Sequence, residues 1–338
     1  MDFDFNDTQR SFRDAVQSYL RANFPDSELR KVWSEEHSYD HRVWKGLADI
    51  GVAGLLIDEE FGGFSGAVID LTLVLEEAGA FAVPEPIVET ALIAPLVIGT
   101  FGDEATKRRW LPGIAAGDVV VAFAEGATGA IVPDGLDADL VLVRDQGVLH
   151  LVERSQVSGQ SLRGIDPSRR LSECNIELSE STVLTGDPAA SLLVDRVGAA
   201  ATACLLVGLS QRLLETTRDY VLSRHQFGRP IAEFQAVKHR LADVAMQTEA
   251  ARSLAWHAIY CLQSSADVVP SASALAKSAA SRAAYLAGSA ALQLHGGIGF
   301  TWEHDLHLRL QRGKAWEVAF GNTDQHRARS GATILGVA

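Results

Sequence analysis

The chain has 338 residues, of which 47% are hydrophobic and 22% are charged. This length and composition are typical of a folded protein with a sizeable core, arranged in one large domain or in two or three smaller ones. Acidic residues outnumber basic residues by 43 to 30, which gives a formal net charge of -13. A general nucleic-acid binder or a binder of anionic membranes needs the opposite balance, so both classes are disfavoured.

The three cysteines, Cys174, Cys204 and Cys261, are far apart in the sequence and form no CxxC pattern. They indicate reduced thiols rather than a disulfide framework or a zinc site. The amino terminus is acidic and lacks the order of a signal peptide. No stretch approaches the roughly 18 uninterrupted apolar residues of a membrane span. We therefore expect a cytoplasmic protein with no membrane partner and no metal.

Helical periodicity dominates the first 115 residues. Residues 7–22 have the apolar spacing of an amphipathic helix, and Asp7 is the expected N-cap. Gly62 and Gly63 permit positive φ and therefore predict a tight chain reversal. Further helical stretches are predicted at 40–49, 67–79 and 88–100.

From Gly117 onwards the chain contains short runs rich in β-branched residues, punctuated by glycine, aspartate and proline. Strands are predicted at 119–124, 140–145 and 148–153. The helical period returns at Asp195 and continues to the end. This order predicts a mainly α protein with a small central β domain. The expected domains are a helical N-terminal domain at 1–115, a shortened central β domain at 116–192 and a C-terminal helical bundle at 193–338.

Two glycine-containing motifs stand out in the last third, RHQFGRP at 224–230 and QLHGGIG at 293–299. Taken alone, each is most simply a turn between helices, with Gly228 as a helix C-cap and Pro230 preventing continuation. At the second motif, backbone N–H groups without side-chain hindrance also permit a phosphate cradle. Nearby, Trp302 and Trp316 are expected in the core because they recur at helical spacing with Phe320.

Together, at this separation and in this order, the two motifs resemble those of the acyl-CoA dehydrogenase family of flavoenzymes. The resemblance covers essentially the whole chain and includes the turn at 60–63 and the segment at 106–112. It implies a helical amino domain, a β-barrel-like middle domain and a C-terminal four-helix bundle, usually assembled as a tetramer. It also implies noncovalent FAD, an acyl-CoA substrate and an electron-transferring flavoprotein as electron acceptor.

By this resemblance, Arg224 contacts the FAD pyrophosphate. A guanidinium suits that position because it binds phosphate oxygens bidentately and stays charged. Gln293 and the backbone at Gly297 are expected at the adenosine diphosphate portion, where a small residue lets the backbone approach the ligand. The remaining cofactor contacts implied by the resemblance are Gln226, Phe227, Ile231, Gln235, Thr323 and Gln325.

The family reaction needs a carboxylate that removes a proton from the carbon next to the thioester, while the neighbouring carbon gives a hydride to flavin. The two positions that carry this glutamate in the family align with Gly321 and Gly198, so neither position holds a carboxylate. A small shift of the alignment would bring Glu317 to the role, although helix carboxylates of this kind more often pair or pack. No catalytic residue is therefore assigned.

The flavin-ring side of the family's site also departs from the pattern. Residues 123–127 replace a Thr-Glu-Pro strand, and the β region contains no tryptophan. Such a chain is similar to one subunit of actinobacterial-type acyl-CoA dehydrogenases, which pair two different chains around FAD. Our leading hypothesis is the nucleotide-holding subunit of such a hetero-oligomer. Two alternatives stay open, a homomeric dehydrogenase with Glu317 or Glu125 as base and a non-catalytic scaffold that binds CoA esters or a partner. The acyl chain is not indicated.

Overall fold

A computed structural model describes residues 4–34, 41–263 and 269–336. Within these ranges the protein is mainly helical with a small amount of sheet, which confirms the predicted fold class. The helices are α1 (Asp7–Asn23), α2 (Asp26–Ser34), α3 (His41–Asp49), α4 (Thr72–Ala80), α5 (Ala94–Phe101), α6 (Glu104–Ala115), α7 (Pro188–Ser223), α8 (Gln235–Gln263), α9 (Val269–His295), α10 (Leu306–Val318) and α11 (Thr323–Leu335). The strands are β1 (Val121–Glu125), β2 (Thr128–Pro133), β3 (Leu140–Asp145), β4 (Val148–Glu153), β5 (Val157–Ser161), β6 (Leu171–Ile176), β7 (Val183–Thr185), β8 (His225–Gln226) and β9 (Arg229–Pro230).

The described residues divide into two compact units. The first unit lies within 4–24, 31–71 and 84–198, and the second within 25–30, 72–83 and 199–336. Helix α7 begins at Pro188 and not at the predicted Asp195, so it includes the predicted boundary at 192. The division into three domains stays a prediction.

The N-cap of α1 is Asn6, so the prediction of Asp7 is wrong. Asn6 has an extended backbone, and its Oδ1 accepts a hydrogen bond from the backbone N–H of Gln9 at 2.9 Å. The Gln9 side chain in turn accepts from the Asn6 N–H at 2.8 Å. This reciprocal capping box satisfies two backbone donors, which a cap at Asp7 would not do. Val16 and Leu20 are buried on the apolar stripe, as the periodicity predicts.

The predicted chain reversal at 62–63 is confirmed, since Gly62 has φ +86° and follows a 3-10 turn at Glu59–Phe61. The predicted helix at 88–100 consists of a π-helical segment, Val88–Ile93, followed by α5. In that segment, the Thr90 hydroxyl hydrogen-bonds the backbone N–H and carbonyl of Val121, both at 3.0 Å. The side chain thereby fastens the π-helical segment to strand β1.

All three predicted strands are present, as β1, β3 and β4. Together with β7 they form a four-stranded sheet in the order β1-β3-β4-β7. In this sheet β1 and β3 are parallel, and β3 and β4 are antiparallel. A second sheet has the order β2-β6-β5 and is antiparallel. Residues 140–143 of β3 are all buried, as expected for a central strand covered on both faces.

In the second unit, α9 packs against α8, α10 and α11. Helices α4 and α7 cross with almost no side chain between them. A Cβ at Gly79 would collide with the carbonyl oxygen of Leu205, and a Cβ at Gly208 would collide with that of Glu76. Each helix therefore places a glycine against the other helix's backbone.

Helix α7 is long and apolar enough, by composition, to cross a membrane. However, 78% of its most apolar window is buried inside the protein. Leu206, Leu209 and Leu213, which the sequence placed on one face, are all buried. The apolar stretch is therefore used as a core helix.

Candidate cofactor site

The first motif forms a β-hairpin directly after α7. Helix α7 ends at Ser223, and the two-residue strands β8 and β9 pair antiparallel, with Gln226 opposite Arg229. The tip residues Phe227 and Gly228 both have positive φ, +55° and +80°. Left-handed backbone at both positions is what a two-residue hairpin turn requires. The reading of Gly228 as a helix C-cap is therefore wrong.

The hairpin presents its side chains outward. Phe227 is 91% exposed, although a large aromatic residue at positive φ is uncommon. Arg224 is also exposed, and its guanidinium has no hydrogen bond or ion pair with any described residue. Gln226 and Gln235 are exposed, and Ile231 is partly buried. Both the arginine and the aromatic ring are thus available to a ligand or a second chain.

The second motif lies at the carboxyl end of α9, which ends at His295. Gly296 has φ +61° and begins a 3-10 segment that continues to Phe300. A Cβ at Gly297 would meet no atom within 4 Å, and Gln293 is exposed. The backbone at these glycines is therefore open to an approaching group.

Tyr220 and His295 bring the two motifs to the same end of the helical bundle. Their rings stack with centroids 4.3 Å apart, and the tyrosine hydroxyl donates to the His295 carbonyl at 3.3 Å. Burial lowers the pKa of His295. Tyr220 precedes Arg224 by one helical turn, and His295 stands between Gln293 and Gly297. The structure therefore groups the residues predicted to bind the pyrophosphate and the adenosine diphosphate portion.

Thr323 and Gln325 lie elsewhere, at the amino end of α11. Asn322 caps this helix, and Gln325 Oε1 accepts from the Asn322 N–H at 2.9 Å. The preceding Gly321 is bonded to Lys277, which precedes His295 by 18 positions on α9. This spacing is roughly 27 Å along the helix axis. Within one chain, the structure does not bring Thr323 and Gln325 to the other cofactor residues.

The turn between α10 and α11 contains Gly321, one of the two positions aligned with the family's glutamate. Gly321 has φ +99°, and a Cβ there would lie 2.8 Å from Nε2 of His326. The same His326 nitrogen is 2.9 Å from the Phe320 carbonyl oxygen. The amino group of Lys277 donates to the carbonyls of Glu317 at 2.8 Å and Gly321 at 3.0 Å. Side chains thus bind two carbonyls of this turn and one in the last turn of α10, and a side chain at Gly321 would have to displace His326.

The other candidate bases are engaged in ion pairs. The Glu317 carboxylate lies 2.7 Å from the amino group of Lys314. Glu125 accepts two hydrogen bonds from Arg144, both at 2.7 Å, and its side chain is 63% exposed. The second aligned position, Gly198, is buried within α7. Among the described residues, no group of three His, Cys, Asp or Glu side chains is arranged to hold a metal.

Sequence reasoning missed the residues whose side chains hold the helices and turns of this region together. Tyr220 and His326 carry no signature in the sequence, because their roles depend on helices distant along the chain. Lys277 had a weak signal, since it is the lone lysine in a helical segment rich in alanine and serine. Trp302 was expected in the core but is 65% exposed. It stacks on His307 at the protein surface, with the ring centroids 4.4 Å apart.

Comparisons with known proteins agree with this fold. Residues 6–118 match the family model of the acyl-CoA dehydrogenase N-terminal domain, and residues 191–335 match that of the C-terminal domain. The chain is 33% identical to the acyl-CoA dehydrogenase IpdE2 of Mycobacterium tuberculosis over 316 residues, which cover 90% of each protein. The chain therefore belongs to the acyl-CoA dehydrogenase family.

Two solved structures have the same fold over nearly the whole chain. The ChsE4-ChsE5 complex from Mycobacterium tuberculosis matches with a TM-score of 0.88 at 22% identity, covering 99% of each chain. The Tcur3481-Tcur3483 steroid ACAD (G363A variant) matches with a TM-score of 0.87 at 25% identity, covering 97% of this chain and 98% of the other. Because the chain belongs to the acyl-CoA dehydrogenase family, it is an oxidoreductase of acyl-CoA thioesters, and the cofactor is FAD. The exposed guanidinium of Arg224, which has no partner among the described residues, and the open space beside Gly297 fit the phosphate groups of this cofactor.

Proposed function

We propose that this chain is the nucleotide-holding subunit of a hetero-oligomeric acyl-CoA dehydrogenase. A partner chain supplies the catalytic glutamate and the contacts to the flavin ring. The observation that carries this proposal is the closed turn at Gly321. Lys277 and His326 bond to backbone carbonyls at and next to this turn, and a Cβ at Gly321 would lie 2.8 Å from the His326 ring. A glutamate side chain at Gly321 would therefore have to displace His326.

The distribution of the cofactor residues supports a site shared between chains. Arg224 and Gln293 lie at one end of α9, whereas Thr323 and Gln325 adjoin Lys277 roughly 27 Å away along its axis. Each group is incomplete alone. A cofactor bound between two chains would receive one group from each.

Two of the structurally similar proteins are described as pairs of chains, ChsE4-ChsE5 and Tcur3481-Tcur3483, and the second is described as a steroid ACAD. They support a two-chain assembly for this protein. The acyl group is left open between a sterol side chain, a branched acid and a simple fatty acyl chain. An electron-transferring flavoprotein as electron acceptor and a cytoplasmic location belong to the same proposal.

FAD supplies the acceptor for the hydride that leaves the substrate's β-carbon. The residues of this chain hold and orient the cofactor. The guanidinium of Arg224 binds phosphate oxygens, and the absence of side chains at Gly296 and Gly297 lets the cofactor approach the backbone closely. The exposed ring of Phe227 offers a flat apolar surface that excludes water beside the bound cofactor. Proton removal from the α-carbon is left to the partner's carboxylate.

The test is expression of the full chain alone and together with candidate partner acyl-CoA dehydrogenase chains from the same organism, followed by purification and flavin analysis. We expect the co-expressed pair to purify as one complex with stoichiometric FAD and acyl-CoA dehydrogenase activity. The lone chain should hold little flavin and should not turn over. Stoichiometric FAD and full turnover from the lone chain would contradict the proposal.

The two alternative functions make different predictions. If Glu317 or Glu125 were the base of a homomeric enzyme, changing it to Gln should lower turnover about 10²–10⁴-fold. If the chain were a non-catalytic scaffold, no flavin would bind under any co-expression condition. Under our proposal, Glu317→Gln and Glu125→Gln in the assembled complex should retain near-normal turnover, because each carboxylate serves an ion pair.

A further inference from the structure

The helical bundle contains a cavity that is separate from the predicted cofactor residues. It lies between α7, α9 and α10 and has a volume of about 320 Å³. Its walls are mostly apolar and include Leu209, Leu213, Leu292 and Leu310. None of the nine residues predicted to contact FAD lines it. The volume falls at the lower end of the range typical of small-molecule sites, about 300–1,000 Å³.

One polar group in the cavity wall lacks a partner. Ser281 is 2% exposed, and its Oγ has no hydrogen-bond partner among the residues that the structure describes. Two other buried serines of this bundle have a partner, since Ser210 donates to the Leu206 carbonyl at 2.6 Å and Ser330 to the His326 carbonyl at 2.9 Å. Ser273 on α9 also has no partner among the described residues, but it does not line the cavity. A buried unpaired hydroxyl is unfavourable, and such groups usually find a protein, water or ligand partner.

Each charged residue that lines the cavity already has a partner of opposite charge. At its mouth, the amino group of Lys314 lies 2.7 Å from the Glu317 carboxylate and 5.0 Å from the centre of the Tyr285 ring. At its inner end, Arg309 binds both carboxylate oxygens of Asp26. Among the described residues that line the cavity, each charge has a counter-charge, so the lining favours a neutral molecule over an ion.

We propose that this cavity binds a small neutral molecule with one ring and one hydroxyl or keto oxygen. The ring fills the space between the leucines, and the oxygen pairs with Ser281 Oγ. Ser281 and Tyr285 are four residues apart, about 6 Å along α9, which a substituted six-membered ring spans. This proposal does not rest on the proposed cofactor role, because none of the predicted FAD contacts lines the cavity.

The experiment is an NMR titration of the full chain with p-cresol and with p-xylene, in which a methyl group replaces the hydroxyl. Ser281→Ala should weaken p-cresol binding about three- to tenfold, the worth of one hydrogen bond, and leave p-xylene binding unchanged. Ser330→Ala is the matched control, because it removes a buried serine hydroxyl outside the cavity, and it should change neither affinity. Ala284→Leu should fill the cavity and abolish binding of both compounds.

A thermal melt of each variant shows that it is folded before titration. Failure of both compounds to saturate the chain up to about 10 mM would overturn the proposal and leave a cavity that holds only water. An unchanged ratio of the p-cresol and p-xylene affinities in Ser281→Ala would also overturn the proposal. Retained binding of either compound in Ala284→Leu would do the same. Equal weakening by Ser330→Ala would show that the serine acts through general stability, which also contradicts a specific site.

Discussion

The amino group of Lys277 lies 3.0 Å from the backbone carbonyl oxygen of Gly321 and is completely buried. It also binds the carbonyl of Glu317 in the last turn of α10. A single side chain of α9 thus joins the end of one helix to the turn that leads into the next. Backbone carbonyls that no helix bond satisfies are costly to bury, so Lys277 is central to this turn.

We predict that Lys277→Met costs about 2–4 kcal/mol in the free energy of unfolding, because two partly buried carbonyls lose a charged donor. The matched control is Lys314→Met, which removes a half-exposed ion pair with Glu317 and should cost less than about 1 kcal/mol. Urea unfolding of both variants measures the difference. Equal values for the two would contradict the structural role of Lys277.

Gly321→Glu should not restore a working base. Its positive φ and the approach of Cβ to His326 predict a loss of about 2–4 kcal/mol and no turnover in the lone chain. Gly331→Ala is the control, since this helical glycine has open space and Ala should stabilise by about 0.5–1 kcal/mol. Thermal melts and acyl-CoA oxidation assays decide the matter. Turnover by the lone Gly321→Glu chain would show that the turn accepts a carboxylate.

Arg224→Lys should weaken FAD binding in the assembled complex about ten- to a hundredfold. Lysine keeps the charge but loses the planar fork, and one charge-assisted pair is worth about 1.5–3 kcal/mol. Arg218→Lys, on the same helix and paired with Asp219, should leave the affinity unchanged. Flavin fluorescence titration gives both values. If Arg224→Lys binds FAD as tightly as the parent complex, Arg224 is a solvated surface residue.

Glu89 should make stability depend on pH. It lies in the π-helical segment, where burial raises its pKa from 4.5 to about 7 although Arg169 acts in the opposite direction. The folded state therefore holds the Glu89 proton more tightly than the unfolded state does. The stability that protonated Glu89 contributes is fully present below pH 4.5 and is lost as pH rises through about 7. The difference between the two pKa values corresponds to a loss of about 3 kcal/mol in the free energy of unfolding.

Glu89→Gln should abolish the fall in the free energy of unfolding between pH 4.5 and 7 that Glu89 causes. Replacing an exposed carboxylate by Glu104→Gln should leave that fall unchanged. Urea unfolding at several pH values, with the free energy compared between variants at each pH, provides the measurement. Parallel profiles for the parent and Glu89→Gln would mean that Glu89 is ionised over the whole range.

The sequence predicted the helices and strands best where apolar spacing was regular. Residues 7–22 and the run at 140–145 became α1 and β3 almost as predicted. Local chemistry was harder, because several residues compete for one role. Asn6 takes the N-cap from Asp7 because it can form the capping box with Gln9. Helix α2 was missed entirely.

The motifs predicted the place of the site but not its construction. The glycine of RHQFGRP was read as a helix end, whereas the chain forms a hairpin with Phe227 exposed at its tip. Strand pairing depends on φ at two successive residues, which apolar spacing does not report. The proximity of Tyr220 to His295 depends on how two long helices pack, and no local pattern encodes it.

The crossing of α4 and α7 has a consequence for how this sequence can vary. Gly79 and Gly208 each face a carbonyl oxygen of the opposite helix, so even a methyl group at either position forces the two axes apart. Separation at one contact also loosens the other, because the same pair of helices makes both. In a saturation library selected for folded protein, both positions should be recovered almost solely as glycine. A substitution at one should not be rescued by any change at the other.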